Sequence, residues 1–356
     1  MNLRKLFSHH PFFIRLFHWE YWSFNTVYGL IYPVFAWLCI RAGGKYFFSA
    51  ANPTIANGGF LMEEKQDIYP LIPAQYYPSF IFVKAGTEIN AIEKEIVTHK
   101  FLYPLIAKPS IGMQGKAVKK IMNTEELKHY TSICTVDFLV QQLSPYQHEV
   151  GIFYYRFPGA EQGTVSGIVA KEPMKVTGDG ESNLYQLICK QPRYILQIKA
   201  LQQMHGAGLQ TVLKVGEEMI LAPYGNHARG SKFLDWTHKA DETLVKHIDA
   251  VCQQINGFYY GRLDIMYNDW DDLRNGKKFH IIELNGAGSD PTHMYDPKHS
   301  ILFAWKEILR HWRILFRISK LNHNKGYSYM SFKEGQEMFR RNNLLVKQLD
   351  AIAEKL

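Results

Sequence analysis

Residues 257–285 read GFYYGRLDIMYNDWDDLRNGKKFHIIELN, and the rest of the chain is organised around them. Residues 261–267 and 278–285 are rich in apolar and aromatic side chains. Between them lie Asp271-Asp272 and Asn275-Gly276. That pattern predicts two strands joined by a polar hairpin connection. Side chains alternate across a strand, so Glu283 and Asn285 share one face while Ile282 and Leu284 share the other. Asp264 sits among apolar residues on the first strand, where an unpaired charge is costly. Two carboxylates and an amide oxygen on one sheet face make a hard-oxygen set that suits Mg²⁺, an ion that often also binds substrate phosphates. Three polar residues at strand ends facing water are the plain alternative. A phosphate-binding partner elsewhere in the chain would decide between them.

With 356 residues the chain can bury a full core and hold two or three lobes. Its 46% hydrophobic and 21% charged composition is that of a globular protein. Cys39, Cys134, Cys189 and Cys252 lie far apart, with no CxxC pair and no disulfide framework, which suits a reducing cytoplasm. The formal charge of +8 points to anionic partners: a nucleotide, a nucleic acid or an anionic membrane surface. No arginine-rich run or nucleic-acid module accompanies that charge, so no nucleic-acid partner is expected.

Residues 1–40 interleave Arg4, Lys5 and Arg15 with Phe7, Phe12, Phe13, Leu16, Phe17, Trp19, Tyr21, Trp22 and Phe24, and no charge falls between Tyr21 and Ile40. That span approaches the ~20 residues a bilayer crossing needs, but Ser23, Asn25, Thr26, Gly29 and Pro33 dilute it. Basic residues mixed with aromatics are the composition of a helix lying in a membrane interface. The alternatives are helices packed on the protein's own core, or on a second copy in a homodimer. Residues 47–53 then read as a strand ending in a turn. Asn57-Gly58-Gly59 is either a loop that binds a ligand through backbone N–H groups or a plain turn.

Residues 103–109 form a strand that carries Lys108 to its end, followed by the small-residue loop 110–118 with Ser110, Gly112 and Gly115. Glycines let a backbone approach phosphates and donate N–H groups, and a lysine adds a point charge. No helix opens directly after the loop, so this is not the GxxxxGK[ST] motif. Residues 137–145 are an apolar strand that becomes an irregular linker through Gln141, Gln142 and Leu143. Glu149 follows at the head of the next strand. Such a hinge offers backbone groups to an adenine edge, and the carboxylate can accept from ribose hydroxyls.

A lysine strand, a glycine loop, a hinge with a glutamate, then Gly-Arg-Leu-Asp and Glu-Leu-Asn: in this order the parts resemble the ATP-grasp superfamily. They are most similar to its branch containing D-alanine–D-alanine ligase and cyanophycin synthetase. The resemblance covers residues 101–297. It implies an α/β (α+β) fold with the nucleotide held between two α/β lobes, here preceded by the aromatic-rich helical segment. It also implies ATP and Mg²⁺, or Mn²⁺ in its place. By its motifs Lys108 would bind the ATP phosphates and residues 110–115 would cover them. Residues 140–143 would form the adenine hinge, and Glu149 would bind the ribose. Asp264, Glu283 and Asn285 would hold the metal, with Arg262 steadying the phosphate or oxyanion. Val140 and Gln141 replace the usual charged hinge residues, so adenine must lean on backbone groups.

On the acceptor side, Arg229 or Lys232 in the donor-dense loop 224–232 could steady a carboxylate or acyl phosphate, or simply form a solvated basic loop. His293 could orient or deprotonate an attacking amine, or cap and pack. Residues 300–320 have helical periodicity, with Arg310, Arg313, Arg317 and Lys320 between the apolar positions as a solvated basic face or an addition to membrane contact alongside the amino terminus, and residues 333–356 read as one or two closing helices. The expected layout is residues 1–45 as the helical segment, 46–100 as a first α/β lobe, 101–300 as the ATP-grasp domain and 301–356 as terminal helices. The function implied is an ADP-forming carboxylate–amine ligase working through an acyl phosphate on small-molecule substrates. It would act in the cytoplasm, free or on the inner face of the cytoplasmic membrane. A phosphotransferase and a non-catalytic, membrane-associated nucleotide binder are the alternatives.

Overall fold

The computed structural model describes residues 9–113, 115–222 and 230–356. Among these, short apolar runs form β1 (Phe80–Val83), β2 (Leu105–Pro109), β3 (Lys119–Ile121), β4 (Phe138–Gln142), β5 (His148–Tyr155), β6 (Thr164–Glu172), β7 (Lys175–Thr177), β8 (Glu218–Ile220), β9 (Lys232–Asp235), β10 (Tyr260–Tyr267) and β11 (Phe279–Asn285). Helices separate most of them, giving the mixed α/β class expected. The chain divides into two compact units. One comprises Met1–Tyr32, Val169–Trp236 and Thr292–Ile308; the other comprises Pro33–Ile168, Thr237–Pro291 and Leu309–Leu356.

The larger unit is built on antiparallel sheets. The first has strand order β1-β4-β2-β3. Its core gathers Leu105, Phe138 and Val140 with Ile92, Leu127 and Leu349, drawn from the helices Ile89–Thr98, Thr124–Ile133 and Phe332–Ala353. Helix starts are chemically marked: Asn123 Oδ1 accepts from Glu126 N at 3.0 Å, and Ser331 and Glu334 form a reciprocal capping box. The carboxyl-terminal stretch is thus one helix, Phe332–Ala353. In the second sheet β10 lies between β5 and β11, and Val150, Ile152, Leu263, Ile265 and Ile281 are fully buried.

Two local expectations need correction in this unit. The connection between β10 and β11 carries the short helix Trp270–Arg274, because Asp269 accepts from Asp272 N at 2.8 Å and so caps a helical turn. Residues 47–53 do not form a strand; Phe47–Ala50 is a 3₁₀ turn. Tyr46, Phe47 and Phe48 are all buried in succession, against an aromatic core that includes Phe153, Tyr260 and Phe316, which an alternating strand could not achieve. The following Asn57-Gly58-Gly59 braces the loop after β11: Ala287 N and Gly288 N donate to Gly58 O and Gly59 O at 3.0 and 2.9 Å. Gly59 has φ +73°, and a Cβ on it would sit 2.7 Å from Gly286 Cα, so glycine is what allows the two chains to meet.

In the smaller unit Val169–Glu172 pairs antiparallel with β9, and β7 pairs with β8. Met174, Val176, Leu184, Leu187, Leu201 and Leu221 form a local core. Much of the amino-terminal segment is fastened onto this unit. Trp19 Nε1 donates to His299 O at 2.7 Å and its ring stacks on Tyr295. Arg193 pairs with buried Glu20 at 2.7 Å, and Trp305 Nε1 donates to Val27 O at 2.7 Å. Phe12, Leu16, Phe17, Phe24 and Leu30 stay exposed. No helix among the described residues is long and apolar enough to cross a membrane.

Candidate active site

The β10–β11 pairing sets Asp264 directly opposite Glu283 and Arg262 directly opposite Asn285. Cross-strand partners and residues two apart share a face, so all four side chains lie on one side of the sheet. The register slips between Asp264 and Ile265, leaving Ile282 as an extra residue in β11. This β-bulge frees the Ile282 carbonyl from the ladder, and Tyr69 Oη donates to it at 2.6 Å and Lys108 Nζ at 3.3 Å. Lys108, at the end of β2, thereby reaches the strand that carries Glu283. Its ammonium also donates to Tyr69 Oη at 2.7 Å.

The charges are closely matched. Arg262 Nε and Nη2 hold the two oxygens of Asp264 at 2.8 and 3.3 Å, so the buried aspartate is paired. Burial works against the guanidinium charge, but Asp264, Glu283 and Asp290 keep Arg262 above its ordinary value. Lys65 Nζ lies 3.2 Å from Glu283 Oε1. Burial and the neighbouring Lys65 charge lower Lys108 from 10.5 to about 7, against the pull of Glu283.

Lys108 therefore makes a signed contribution to stability. The folded chain releases this proton near pH 7, whereas the unfolded chain holds it to about pH 10. Fewer protons on the folded state means stability rises with pH across that window. Urea midpoints between pH 7 and pH 10 should climb more steeply for the native chain than for Lys108→Met. Parallel curves would show that Lys108 titrates normally.

Other candidates fall as follows. Ser110 is buried, with its hydroxyl 3.4 Å from Glu64 Oε2 and its N–H donating to Asp137 O. Gly112 packs against Lys65, whose Nζ would lie 2.4 Å from an added Cβ. Gly115 has φ +73° and open space around it; Gln114 and Arg229 lie outside the described residues. Gln141 is buried and spends its amide on Pro78 O at 2.9 Å, Gln142 is paired along the backbone with Leu105, and Leu143 is exposed. Glu149 lies in β5 opposite Met266, two positions from Gly151, which faces Asp264. His293 belongs to the smaller unit, buried 3.1 Å from Glu307.

Lys65, Glu63 and Tyr69 escaped sequence reasoning. They come from residues 63–69, whose short-range pattern shows only a helix start. A cavity of about 30 Å³ is lined by Glu63, Lys65, Tyr69, Gly112, Glu283 and Asn285. Among the described residues no three His, Cys, Asp or Glu side chains converge closely enough to hold a metal ion. The hard-oxygen set of Asp264, Glu283 and Asn285 nevertheless suits Mg²⁺, and a cation already rests on Glu283 in the form of the Lys65 ammonium.

No protein-family model matches the chain, and no curated protein matches it. Among solved structures it is similar to a bifunctional glutathione synthetase from Pasteurella multocida, at 13% identity and TM-score 0.38, over 71% of this chain and 38% of that one. A D-Ala:D-Ser ligase from Enterococcus faecalis matches at 17% identity and TM-score 0.41, over 71% of this chain and 61% of that one. A D-alanine–D-alanine ligase from Bacillus anthracis matches at 12% identity and TM-score 0.39, over 74% and 67%. The chain spans less than two thirds of the first two. Similarity of this size adds no residue to the site.

Proposed function

We propose that the chain is an ATP- and Mg²⁺-dependent ligase that joins a small-molecule carboxylate to an amine, releasing ADP and phosphate. The observation that supports this reading is the single sheet face carrying Arg262, Asp264, Glu283 and Asn285, with Lys108 delivered to the bulge beside it. Lys108 and the backbone of the Ser110–Gly112 stretch would receive the ATP phosphates, the backbone of residues 141–143 the adenine, and Glu149 the ribose. Mg²⁺ on Asp264, Glu283 and Asn285 would neutralise charge on the phosphate oxygens. A carboxylate oxygen attacks the γ-phosphorus and the bond to ADP breaks. Arg262 steadies the transferred group. An amine nitrogen then attacks the acyl carbon, the C–O bond to phosphate breaks, and the amine loses a proton. Arg229 and His293 are the acceptor-side candidates. ADP release that needs both a carboxylate and an amine tests the reading. Turnover with a hydroxyl compound alone would make the protein a phosphotransferase, and ATP binding without turnover on any pool would make it a binder.

A second reading concerns the surface of the larger unit, which we propose contacts an anionic bilayer. On the helix Tyr32–Ala42, Leu38 is buried while Trp37 and Ile40 are 51% and 78% exposed. Arg41 lies 4.8 Å over the Trp37 ring and 5.6 Å over Phe316, Lys320 lies 5.9 Å from Phe316, and Arg317 lies 4.3 Å over Phe157. Cations held on rings beside exposed apolar side chains are interface chemistry, and each basic residue adds about 1 kcal/mol at an anionic surface. The protein should cosediment with phosphatidylglycerol-containing vesicles and not with pure phosphatidylcholine. The double substitution Trp37→Ser, Ile40→Ser should weaken binding about tenfold or more. Self-association without vesicle binding would instead assign this face to a second copy.

A further inference from the structure

We propose that Glu63 is an additional ligand of the cation site on β11, and that the Lys65 ammonium keeps that site closed. The inference rests on the reading of the β10–β11 face as a divalent-ion site. The cavity of about 30 Å³ beside Glu283 and Asn285 has room for one water or one ion. Two polar atoms of residues lining it, Glu63 Oε2 and Asn285 Nδ2, are sealed from solvent and meet no partner among the described residues. A buried carboxylate oxygen without a donor is costly, and a cation or water in the cavity would relieve that cost. Turning the Asn285 amide by a half rotation presents Oδ1 in place of Nδ2. Glu63, Glu283 and Asn285 then offer hard oxygens to a single small space, the donor type that Mg²⁺ and Mn²⁺ take.

The Asp264 carboxylate is matched by Arg262. Glu283 is held ionised by Lys65, 3.2 Å away, together with Lys108 and Arg262. The same Lys65 ammonium acts on Glu63, whose carboxyl is pushed above its ordinary value by burial. Lys65 is held there from behind. Its backbone N–H donates to Ser110 O at 2.9 Å, and the bare Gly112 closes over the Nζ. The ammonium and a divalent ion cannot share so small a space, so an entering ion displaces Lys65, whose long stem swings aside.

The test is Mn²⁺ binding by calorimetry on the full chain without nucleotide, which reads the site whether or not the protein ligates anything. Lys65→Met should tighten Mn²⁺ at least about tenfold by removing the competing cation. Glu63→Gln should weaken it by about tenfold or more, the size expected for a lost ligand or its supporting partner, both alone and in the Lys65→Met background. If Glu63→Gln fails to fold, Glu63→Asp, which keeps the charge and withdraws the oxygen, should weaken binding likewise. Unchanged affinity in the folded Glu63 variant would leave a water in the cavity and overturn the proposal. So would Lys65→Met binding no better than the native chain, or no Mn²⁺ bound by any form. Mn²⁺ binding with these shifts but no ligation would sink the ligase reading and leave this one standing.

Discussion

Glu283→Gln should lower kcat by about three orders of magnitude, or ~4 kcal/mol of barrier, while leaving the chain folded. Glu283 stands opposite Asp264 and receives charge from three directions. Burial and the nearby Asp264 push its carboxyl upward, yet Lys65, Lys108 and Arg262 hold it below its ordinary value, so it is an anion at neutral pH. The amide keeps the shape and deletes that charge. Lys65 loses its partner, Lys108 loses the one charge that favours its protonation, and any divalent ion loses a ligand. The measurement is ADP release with carboxylate and amine present, alongside a melting scan. A variant that melts like the native chain and retains a tenth or more of its turnover would show that Glu283 plays no part in the chemistry.

The second large effect is on stability. Asn52 is completely buried and pins two segments far apart in sequence. Its Nδ2 donates to Gly58 O and Tyr260 O at 2.9 and 2.8 Å, and its Oδ1 accepts from Tyr259 N and Tyr260 N at 2.8 and 3.0 Å. Leucine fills similar volume but removes four hydrogen bonds. Gly58 O keeps Ala287 N as a donor, while Tyr260 O and the Tyr259 and Tyr260 N–H groups lose the Asn52 partner, each at about 1–3 kcal/mol if left buried without another. Allowing for relaxation, Asn52→Leu should cost ~4 kcal/mol and lower Tm by about 5 °C. It should also loosen the Gly58–Gly59 brace beneath the loop after β11. A shift within about 2 °C would mean that water or neighbouring groups replace all four bonds.

Much of the fold was legible because local chemistry marks it. Asn123 announces a helix start, and the lysine strand and the two strands of the hairpin fall within a residue or two of where their patterns place them. The misreadings share one cause. Residues 47–53 look like a strand, but among the described residues no strand pairs with them, and their aromatics are drawn into a core assembled from residues hundreds of positions away. Asp269 reads equally well as a turn residue and as a helix cap, and in the structure its carboxylate caps the helical turn Trp270–Arg274.

The candidate site divides along the same line. Strand alternation by itself put Glu283 and Asn285 on one face, since a period of two follows from backbone geometry alone. That Asp264 and Arg262 join them depends on register, which only the paired strands set. The bulge at Ile282, the reach of Lys108 to its carbonyl, and the arrival of Glu63 and Lys65 were decided by tertiary structure. The bulge is a matter of hairpin register, but the Lys108 and Lys65 contacts join positions more than 150 residues apart, and no local propensity or spacing encodes which distant segment will close over a strand.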